Sequence, residues 1–556
     1  MSRTIVVIGG AGGGPVAAAR VRELDESARI ILVEKRAHVS WVQAGLRYHL
    51  EGKVHGHSEL DEDRRQFFAD RHRIELRLGT EAVRLDPDSH RLVLKSAQGQ
   101  DTVRFDAAIF SGGVEIGSAG GGLTAGQPGV TAFRTKDDLE AIRALIQAGA
   151  KRAVVVGCGP NGVDAAVGLK RAGLDVLVVE KNERILPSLS LFAARAAQRA
   201  LTDLGITLHL KAPIESVDKR GSRSVLTLAG GVVVDADLVV LTTGLRPRTD
   251  LLAEAGAALN GDGSVRVNAK METSLPAVYA CGSAVSVIHA VTRAPLWLPQ
   301  QAIATRTAQI AGHNAVSDGT KETLSPLAGT ALYVVGEQRF GRTGLSEKEA
   351  RSFLGDDRVF VVTIHGYAGE PWVGGDALCV RVVVDKKKSV VVGGEVWGKE
   401  GVPRRIDLLA CAVADGWSPE RVADLDIAYA PTLGPAFDPL HVAGQVAAQT
   451  IAGEAHPIGA EALALRVHRG EVTIVDVSRP KASSTSTPSP WPASALRIPL
   501  EALRDQLPQL PKDRPIVTVS QTGQRAYQAY RILRQRGFGD VQHLDGGALS
   551  YAITQG

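Results

Sequence analysis

The chain has 556 residues, 44% hydrophobic and 22% charged, with a net charge of +4 at pH 7; it is too long for one core and predicts about three or four domains. The charge is scattered rather than blocked, which argues against nucleic acid as a partner, and no apolar run approaches the ~18 residues that cross a bilayer. The four cysteines, Cys158, Cys281, Cys379 and Cys411, form neither a CxxC pair nor a zinc spacing, so no disulfide framework and no metal site is expected. Met1-Ser-Arg-Thr leads straight into strand-like Ile5-Val-Val-Ile8 with no charged-then-apolar signal, and a cytoplasmic location is the expectation.

Taken in chain order, Ile5–Ile8 opens into Gly9-Gly10-Ala11-Gly12-Gly13-Gly14 and then an alanine-rich helix pattern from Val16 to Arg22. Glycines allow the tight strand-to-helix turn and let a pyrophosphate approach the backbone, while the helix N-terminus favours its negative charge. The next strand, Arg29 to Val33, ends at Glu34, twenty residues past Gly14, where a carboxylate can bind a ribose diol; Lys35 is counted with it. The pattern recurs. Ala153-Val-Val-Val156 leads into Gly157-Cys-Gly159-Pro-Asn-Gly162, a helix, a strand from Leu174 to Val179, and Glu180, eighteen residues past Gly162. Two such units predict two dinucleotides. Glu180 favours NADH, since a carboxylate repels a 2′-phosphate; Lys181 and Arg184 keep NADPH as the weaker alternative.

The segment Ser40-Trp-Val-Gln-Ala44-Gly-Leu-Arg-Tyr-His49 gives these units a family. Residues 4–50 resemble the flavin-binding unit of the coenzyme A disulfide reductases, flavin-dependent pyridine nucleotide oxidoreductases. Their matching stretch has the form S-F-x-N-C-G-L-P-Y-Y, and its cysteine relays electrons from flavin to substrate sulfur. Ala44 stands at the cysteine position. The resemblance implies FAD on the first unit and the nicotinamide on an inserted second one, with Asp164 near the place where relatives set an acid beside the nicotinamide. Val239-Val-Leu-Thr-Thr-Gly244-Leu-Arg-Pro247 and Val278-Tyr-Ala-Cys-Gly282-Ser283 resemble the family's A-T-G-x-x-P and Y-A-x-G-D segments. Ser283 replaces the aspartate that binds the flavin's ribityl chain, and the first A-T-G-like turn reads Phe110-Ser111-Gly-Gly113. Arg20, Arg22 and Ser40 match positions that bind coenzyme A in relatives, so coenzyme A is an implied ligand.

The resemblance continues through a dimerisation domain at about 326–453, in Gly344-Leu-Ser-Glu-Lys-Glu-Ala350, Gly398-Lys-Glu-Gly401 and Asp426-Ile-Ala-Tyr429-Ala-Pro431. It implies a homodimer and places Tyr429, and more loosely Trp372, at the partner's redox site; a plain interface aromatic is the alternative for Tyr429. Residues 460–556 resemble a rhodanese-like domain, through Val472-Thr-Ile-Val-Asp476, Pro515-Ile-Val-Thr-Val519 and Leu544-Asp-Gly-Gly547. Its active-site loop reads Ser520-Gln-Thr-Gly-Gln-Arg525, with serine at the cysteine position. A hydroxyl is a far weaker nucleophile than a thiol, so sulfur transfer is not expected; Gly523, the loop amides and Arg525 could still cradle an anion, and a domain kept for packing or oligomer contacts is the alternative. The Ser/Pro/Thr-rich stretch between Ser478 and Ser494 reads as a flexible surface loop.

The expected fold is α/β, with two nested Rossmann-like dinucleotide-binding domains, an α+β dimerisation domain and a C-terminal rhodanese-like α/β domain. The boundaries are 1–112 and 246–325 for FAD, 113–245 for NAD(P), 326–453 for dimerisation and 460–556 for the rhodanese-like module. Against the family pattern the chain gains Trp41, Gln43, Arg47 and His49, groups able to orient a small polar or anionic acceptor, with His49 as a proton source near neutral pH; the alternative is that Arg47 and His49 point to solvent or to the dimer partner. Three functional readings remain. The first passes electrons from reduced flavin directly to oxygen, a quinone or a polar organic acceptor. The second is a silent nucleotide or coenzyme A sensor, and the third reduces a persulfide or polysulfide without a protein thiol.

Overall fold

Ile5, Val6, Val7, Ile31 and Leu32 are fully buried, the pattern of strands covered on both faces. They lie in a parallel sheet ordered Val278–Ala280, Ala107–Phe110, Thr4–Ile8, Arg29–Glu34, Glu75–Leu78. The helix Gly13–Leu24 packs against Gln301–Val316; a Cβ at Gly312 would lie 2.6 Å from the Ala17 carbonyl, so the two backbones touch. A second parallel sheet is ordered Thr207–His209, Asp175–Val179, Arg152–Val156, Leu238–Leu241, Val130–Ala132. Each of the two carries a three-stranded antiparallel sheet inserted before its return strand. In this computed structural model residues 2–54, 65–117, 119–221, 223–479 and 490–555 are described. Both parallel sheets fall in the first of two units, residues 1–183, 201–289 and 293–327.

The second unit, residues 184–200, 290–292 and 328–556, starts with a five-stranded antiparallel sheet from Ala331 to Gly398. The helices Val402–Asp415 and Pro439–Ile451 pack on it. Arg405, fully buried, donates from Nε and Nη2 to the Asp438 carboxylate at 2.9 and 2.6 Å and from Nη1 and Nη2 to the carbonyls of Gly401 and Ala368. Such pairing is what a buried cation requires. A five-stranded parallel sheet of residues 457–544 follows. Its Asp545 turn seats on the antiparallel sheet, accepting from the Thr363 amide at 2.8 Å. The stretch read as a flexible loop lies outside the described residues from 480 to 489. Its tail differs from that reading: Trp491 is 6% exposed and packs on Tyr551 with ring centroids 4.8 Å apart, because a large apolar ring gains more from burial than the loop loses in entropy.

In the two Rossmann-like folds the glycine turns are held by close backbone contact. A Cβ on Gly14 would sit 1.8 Å from the Gly9 carbonyl oxygen, and one on Gly162 would sit 2.1 Å from that of Gly157. By contrast, Gly159 has nothing within 4 Å of a Cβ. Gly14→Ala should therefore lower unfolding free energy by about 1–3 kcal/mol through overpacking, whereas Gly159→Ala should leave the urea midpoint almost unchanged. Equal midpoints for the two variants would contradict the packing role of Gly14.

Candidate functional site

The two glycine turns are bracketed in the same way. Gly10 donates its amide to Glu34 Oε2 at 2.7 Å and Arg36 donates to Oε1 at 2.9 Å. In the second fold Cys158 donates to Glu180 Oε2 at 2.7 Å and Asn182 to Oε1 at 2.9 Å. Glu34 and Glu180 are 8% and 7% exposed. Each acid thus ties the end of its strand to the preceding turn.

Around the first turn opens a cavity of about 670 Å³, a size suited to a large organic ligand. Of the predicted cofactor residues it is lined by Gly9, Ala11, Gly12, Gly13, Glu34, Lys35, Ser111 and Ser283, together with Gln43. Gly10, Gly14 and Gly282 are not in its lining; the Gly282 amide donates to Thr307 Oγ1 at 3.0 Å. Gly157, Gly159, Gly162, Asp164 and Glu180 belong to the second turn and helix Pro160–Arg171, and the Gly244 carbonyl accepts from Gly117 at 2.7 Å.

Three cavity arginines escaped the sequence reading: Arg36, Arg134 and Arg248. Burial pushes the Arg134 guanidinium down to about 10, and the like charges of Arg248 and Arg36 add to the effect. A bound anion would relieve that repulsion. Trp41 also lines the cavity, and its buried Nε1 has no hydrogen-bond partner among the described residues. A glycine-lined cradle, clustered cations and an orphaned donor fit a dinucleotide whose pyrophosphate is anionic and whose ring carries acceptors. No motif flags these residues, since they come from separate segments.

Several predicted residues are placed otherwise than expected. Arg47 and His49, expected to orient an acceptor, are each 4% exposed and do not line the cavity. Arg47 donates from Nε to Glu51 Oε1 at 2.6 Å and from Nη1 to Asp164 Oδ1 at 3.1 Å; burial works against its charge, but Glu51 and Asp164 outweigh that and raise its pKa. His49 stacks on Trp41, centroids 6.5 Å apart. Arg22 donates to four main-chain carbonyls, those of His72, Asp25, Glu26 and Arg73, and Arg20 pairs with Glu23 and Glu322. Ser40 is held at φ 60° with its amide on the Gly10 carbonyl.

In the second unit Trp372 and Tyr429 are 71% and 55% exposed, with Leu433 and Phe437 also exposed nearby in the chain. The rhodanese-like loop closes on itself. Ser520, 1% exposed, accepts the amides of Gly523 and Ala526 on Oγ, both at 3.2 Å. Arg525, expected to help cradle an anion, donates instead to both oxygens of Glu501 and to the Val477 carbonyl. The ion pair satisfies the guanidinium more fully than an open loop would.

No cysteine lines the cavity. Cys158, Cys281 and Cys379 are buried thiols, with Cys281 pushed up to about 12 by burial; only Cys411 is exposed among the four. No cluster among the described residues could hold a metal ion, and no helix there is long and apolar enough to cross a membrane.

Two glycine turns on nested parallel sheets define a two-dinucleotide oxidoreductase fold. The family model of the pyridine nucleotide-disulphide oxidoreductases matches residues 3–304, and the chain belongs to that FAD- and NAD(P)H-dependent family. Its dimerisation domain matches residues 330–441, and a rhodanese-like domain matches residues 459–553. The chain is 27% identical to an NADH oxidase of Methanocaldococcus jannaschii, over 81% of this chain and 99% of that protein. Structurally it is similar to the reduced CoADR-RHD of Bacillus anthracis, with TM-score 0.91, 26% identity and coverage of 100% and 98%. It is also similar to a NAD-dependent persulfide reductase from A. fulgidus, with TM-score 0.89, 27% identity and coverage of 98% and 99%.

Two outcomes test this site. Arg134→Met should weaken FAD binding by the apo-protein about tenfold or more, the scale of a lost charge-assisted contact, in a fluorescence titration; unchanged affinity would exclude Arg134 from the anion site. Ser520→Ala should destabilise the protein by about 1–3 kcal/mol, since two buried amides lose their acceptor. A variant as stable as the parent in chemical denaturation would show that the hydroxyl does not hold the loop.

Proposed function

We propose that the protein is an NAD(P)H oxidoreductase that delivers electrons from FAD to a small acceptor without a protein thiol. The observation that carries this reading is the absence of cysteine from the cavity lining, with Ala44 at the position where relatives place their redox cysteine. Bound FAD would supply two-electron chemistry between NAD(P)H and the acceptor; with oxygen the overall balance would be NAD(P)H, a proton and O2 to NAD(P)+ and hydrogen peroxide. Glu34 and the Gly9–Gly14 turn hold the nucleotide, and Arg36, Arg134 and Arg248 bear the charge of its pyrophosphate. Trp41 and Gln43, which line the cavity, would then bound its acceptor side. Glu180, with Gly157, Gly159 and Gly162, takes NADH in preference to NADPH.

The homodimer belongs to the same proposal. Trp372, Tyr429, Leu433 and Phe437 expose large apolar rings and chains on a dimerisation domain, which suits coverage by a second copy; Tyr429 and Trp372 would then stand at the partner's cavity. A cytoplasmic location accompanies it. Coenzyme A remains a proposed ligand through Arg20 and Ser40; Arg22 contributes by holding the end of the Gly13–Leu24 helix.

The second reading, cysteine-independent reduction of a persulfide or polysulfide, is favoured by the likeness over nearly the whole chain to the A. fulgidus persulfide reductase. An anaerobic mixture of NADH and enzyme, supplied in turn with oxygen, a quinone, coenzyme A persulfide and coenzyme A disulfide, separates the two. Flavin reoxidation by oxygen or quinone without sulfide supports the first; sulfide release from the persulfide supports the second. Rapid turnover of coenzyme A disulfide alone would defeat both.

A further inference from the structure

The antiparallel sheet of the second unit carries a charged row across its strands. Arg342 is paired with Glu395, Glu395 with Arg381, and Arg381 with Thr363 on the edge strand Val359–Tyr367. Directly opposed residues share a face of the sheet. Glu347, from the helix Glu347–Leu354, accepts from Arg381 Nη2 at 2.5 Å and pairs with Arg351 at 2.9 Å; Glu349 of the same helix lies 3.5 Å from Arg342. Glu395 accepts the Ser190 amide at 2.5 Å and lies 4.0 Å from Arg381. Arg342, Arg351 and Arg381 thus meet Glu347, Glu349 and Glu395, and the row is balanced within itself.

Asp545 is one acid more. It belongs to the C-terminal module, in the turn before the helix Gly547–Gln555, and accepts the Thr363 amide on Oδ1 at 2.8 Å. That amide is one of the free donors an edge strand presents. A Cβ on Gly546 would lie 3.1 Å from Thr363 Cγ2, and His365 Nε2 lies 3.0 Å from Ser550 Oγ, so turn and helix both rest on the edge. The turn also carries the Ser520 loop. Ala548 donates its amide to the Ser520 carbonyl at 2.8 Å, and Leu549 to that of Gln521 at 3.2 Å.

We propose that this contact is an acid-favoured latch: neutral Asp545 holds the C-terminal module on the sheet edge, and ionised Asp545 lets go of it. Arg381 is shared by Glu347 and Glu395 before Asp545 can draw on it. Burial pushes the Asp545 carboxyl up to about 6; its bonds to Thr363 and the charge of Arg381 oppose the rise, and Glu347 adds to it. A carboxyl held above its ordinary value of about 4 binds its proton more tightly in the docked state. Docking is therefore strongest in acid and weakens as the pH rises through about 6. Burial works against the Glu347 carboxylate, but Arg381 and Arg351 outweigh it and lower its pKa. His365, 4.0 Å from the Cys379 thiol, is pushed down to about 4 by burial, and burial holds that thiol well above its ordinary value. In the module, burial pushes His543 down to about 3. None of these groups changes charge as Asp545 titrates.

Hydrogen exchange on the flavin-loaded full chain, read by mass spectrometry and corrected for the intrinsic rate at each pH, tests the latch. Protection of the edge strand Val359–Tyr367 and of the helix Gly547–Gln555 should fall about tenfold or more between about pH 5 and pH 8. The central strand Val390–Gly398 should keep its protection. Asp545→Asn retains an acceptor without the charge, so it should show the acid level of protection at both pH values. Glu347→Gln frees Arg381 for ionised Asp545 and should make the fall smaller. Equal protection of the parent at both pH values would overturn the proposal, as would an Asp545→Asn variant that loses protection as the parent does. A loss as large in the central strand is global unfolding and overturns it too. Should Asp545→Asn not fold, Glu347→Gln decides, and a fall as large as the parent's defeats the latch.

Discussion

The architecture of the first unit depends on one repeated interaction: a glutamate at the end of a strand accepts backbone amides on both oxygens, one from the glycine turn and one from just beyond itself. Glu34 does so with Gly10 and Arg36, and Glu180 with Cys158 and Asn182. The bracket fixes the turn at the carboxyl edge of the sheet, the place where open α/β sheets bind ligands. It requires that the following helix start in contact with the turn. Gly14 and Gly162 meet that demand, because any side chain there would overlap the carbonyl of Gly9 or Gly157.

Once the two turns are placed, the chemistry is limited by what surrounds the first of them. Cations gather there: Arg36, Arg134 and Arg248 share the cavity, and burial alone already makes Arg134 a weaker cation than usual. Thiols do not. The three buried cysteines lie outside the cavity lining, where burial disfavours the thiolate that redox exchange needs. In the C-terminal module the loop around Ser520 is closed by its own contacts. Two of its amides, those of Gly523 and Ala526, bond the Ser520 hydroxyl, and Arg525 is committed to Glu501. Ala44 and Ser520, which the family resemblance sets at cysteine positions, thus both sit within an intact fold.

Local signals were legible in the sequence and distant ones were not. The glycine turns, Glu34 and Glu180 lie within about twenty residues of one another, so strand, turn, helix and acid could be read as a unit. The resemblance extended this to the dimerisation and rhodanese-like domains, both matched by family models. Arg134, Arg36 and Arg248 converge from segments with no shared motif. Arg47 was visible as an unusual arginine, but its neighbourhood near Ala44 suggested an acceptor, and only the packing of Leu46–Leu50 on Pro160–Arg171 reveals Asp164 as its partner. Arg22 and Arg525 teach the same lesson: the charge was evident, while the carbonyls and carboxylate that bind it lie elsewhere in the chain.

In the proposed function electrons pass from the flavin straight to the acceptor and never enter a protein thiol. An anaerobic titration of the flavin-loaded protein with NADH, followed by its visible spectrum, measures this directly through stoichiometry. The account predicts complete bleaching at one equivalent of NADH per flavin, since the flavin is then the sole two-electron store. Uptake of two equivalents, with a long-wavelength band between flavin and thiolate after the first, would contradict it and place a redox-active cysteine in the path.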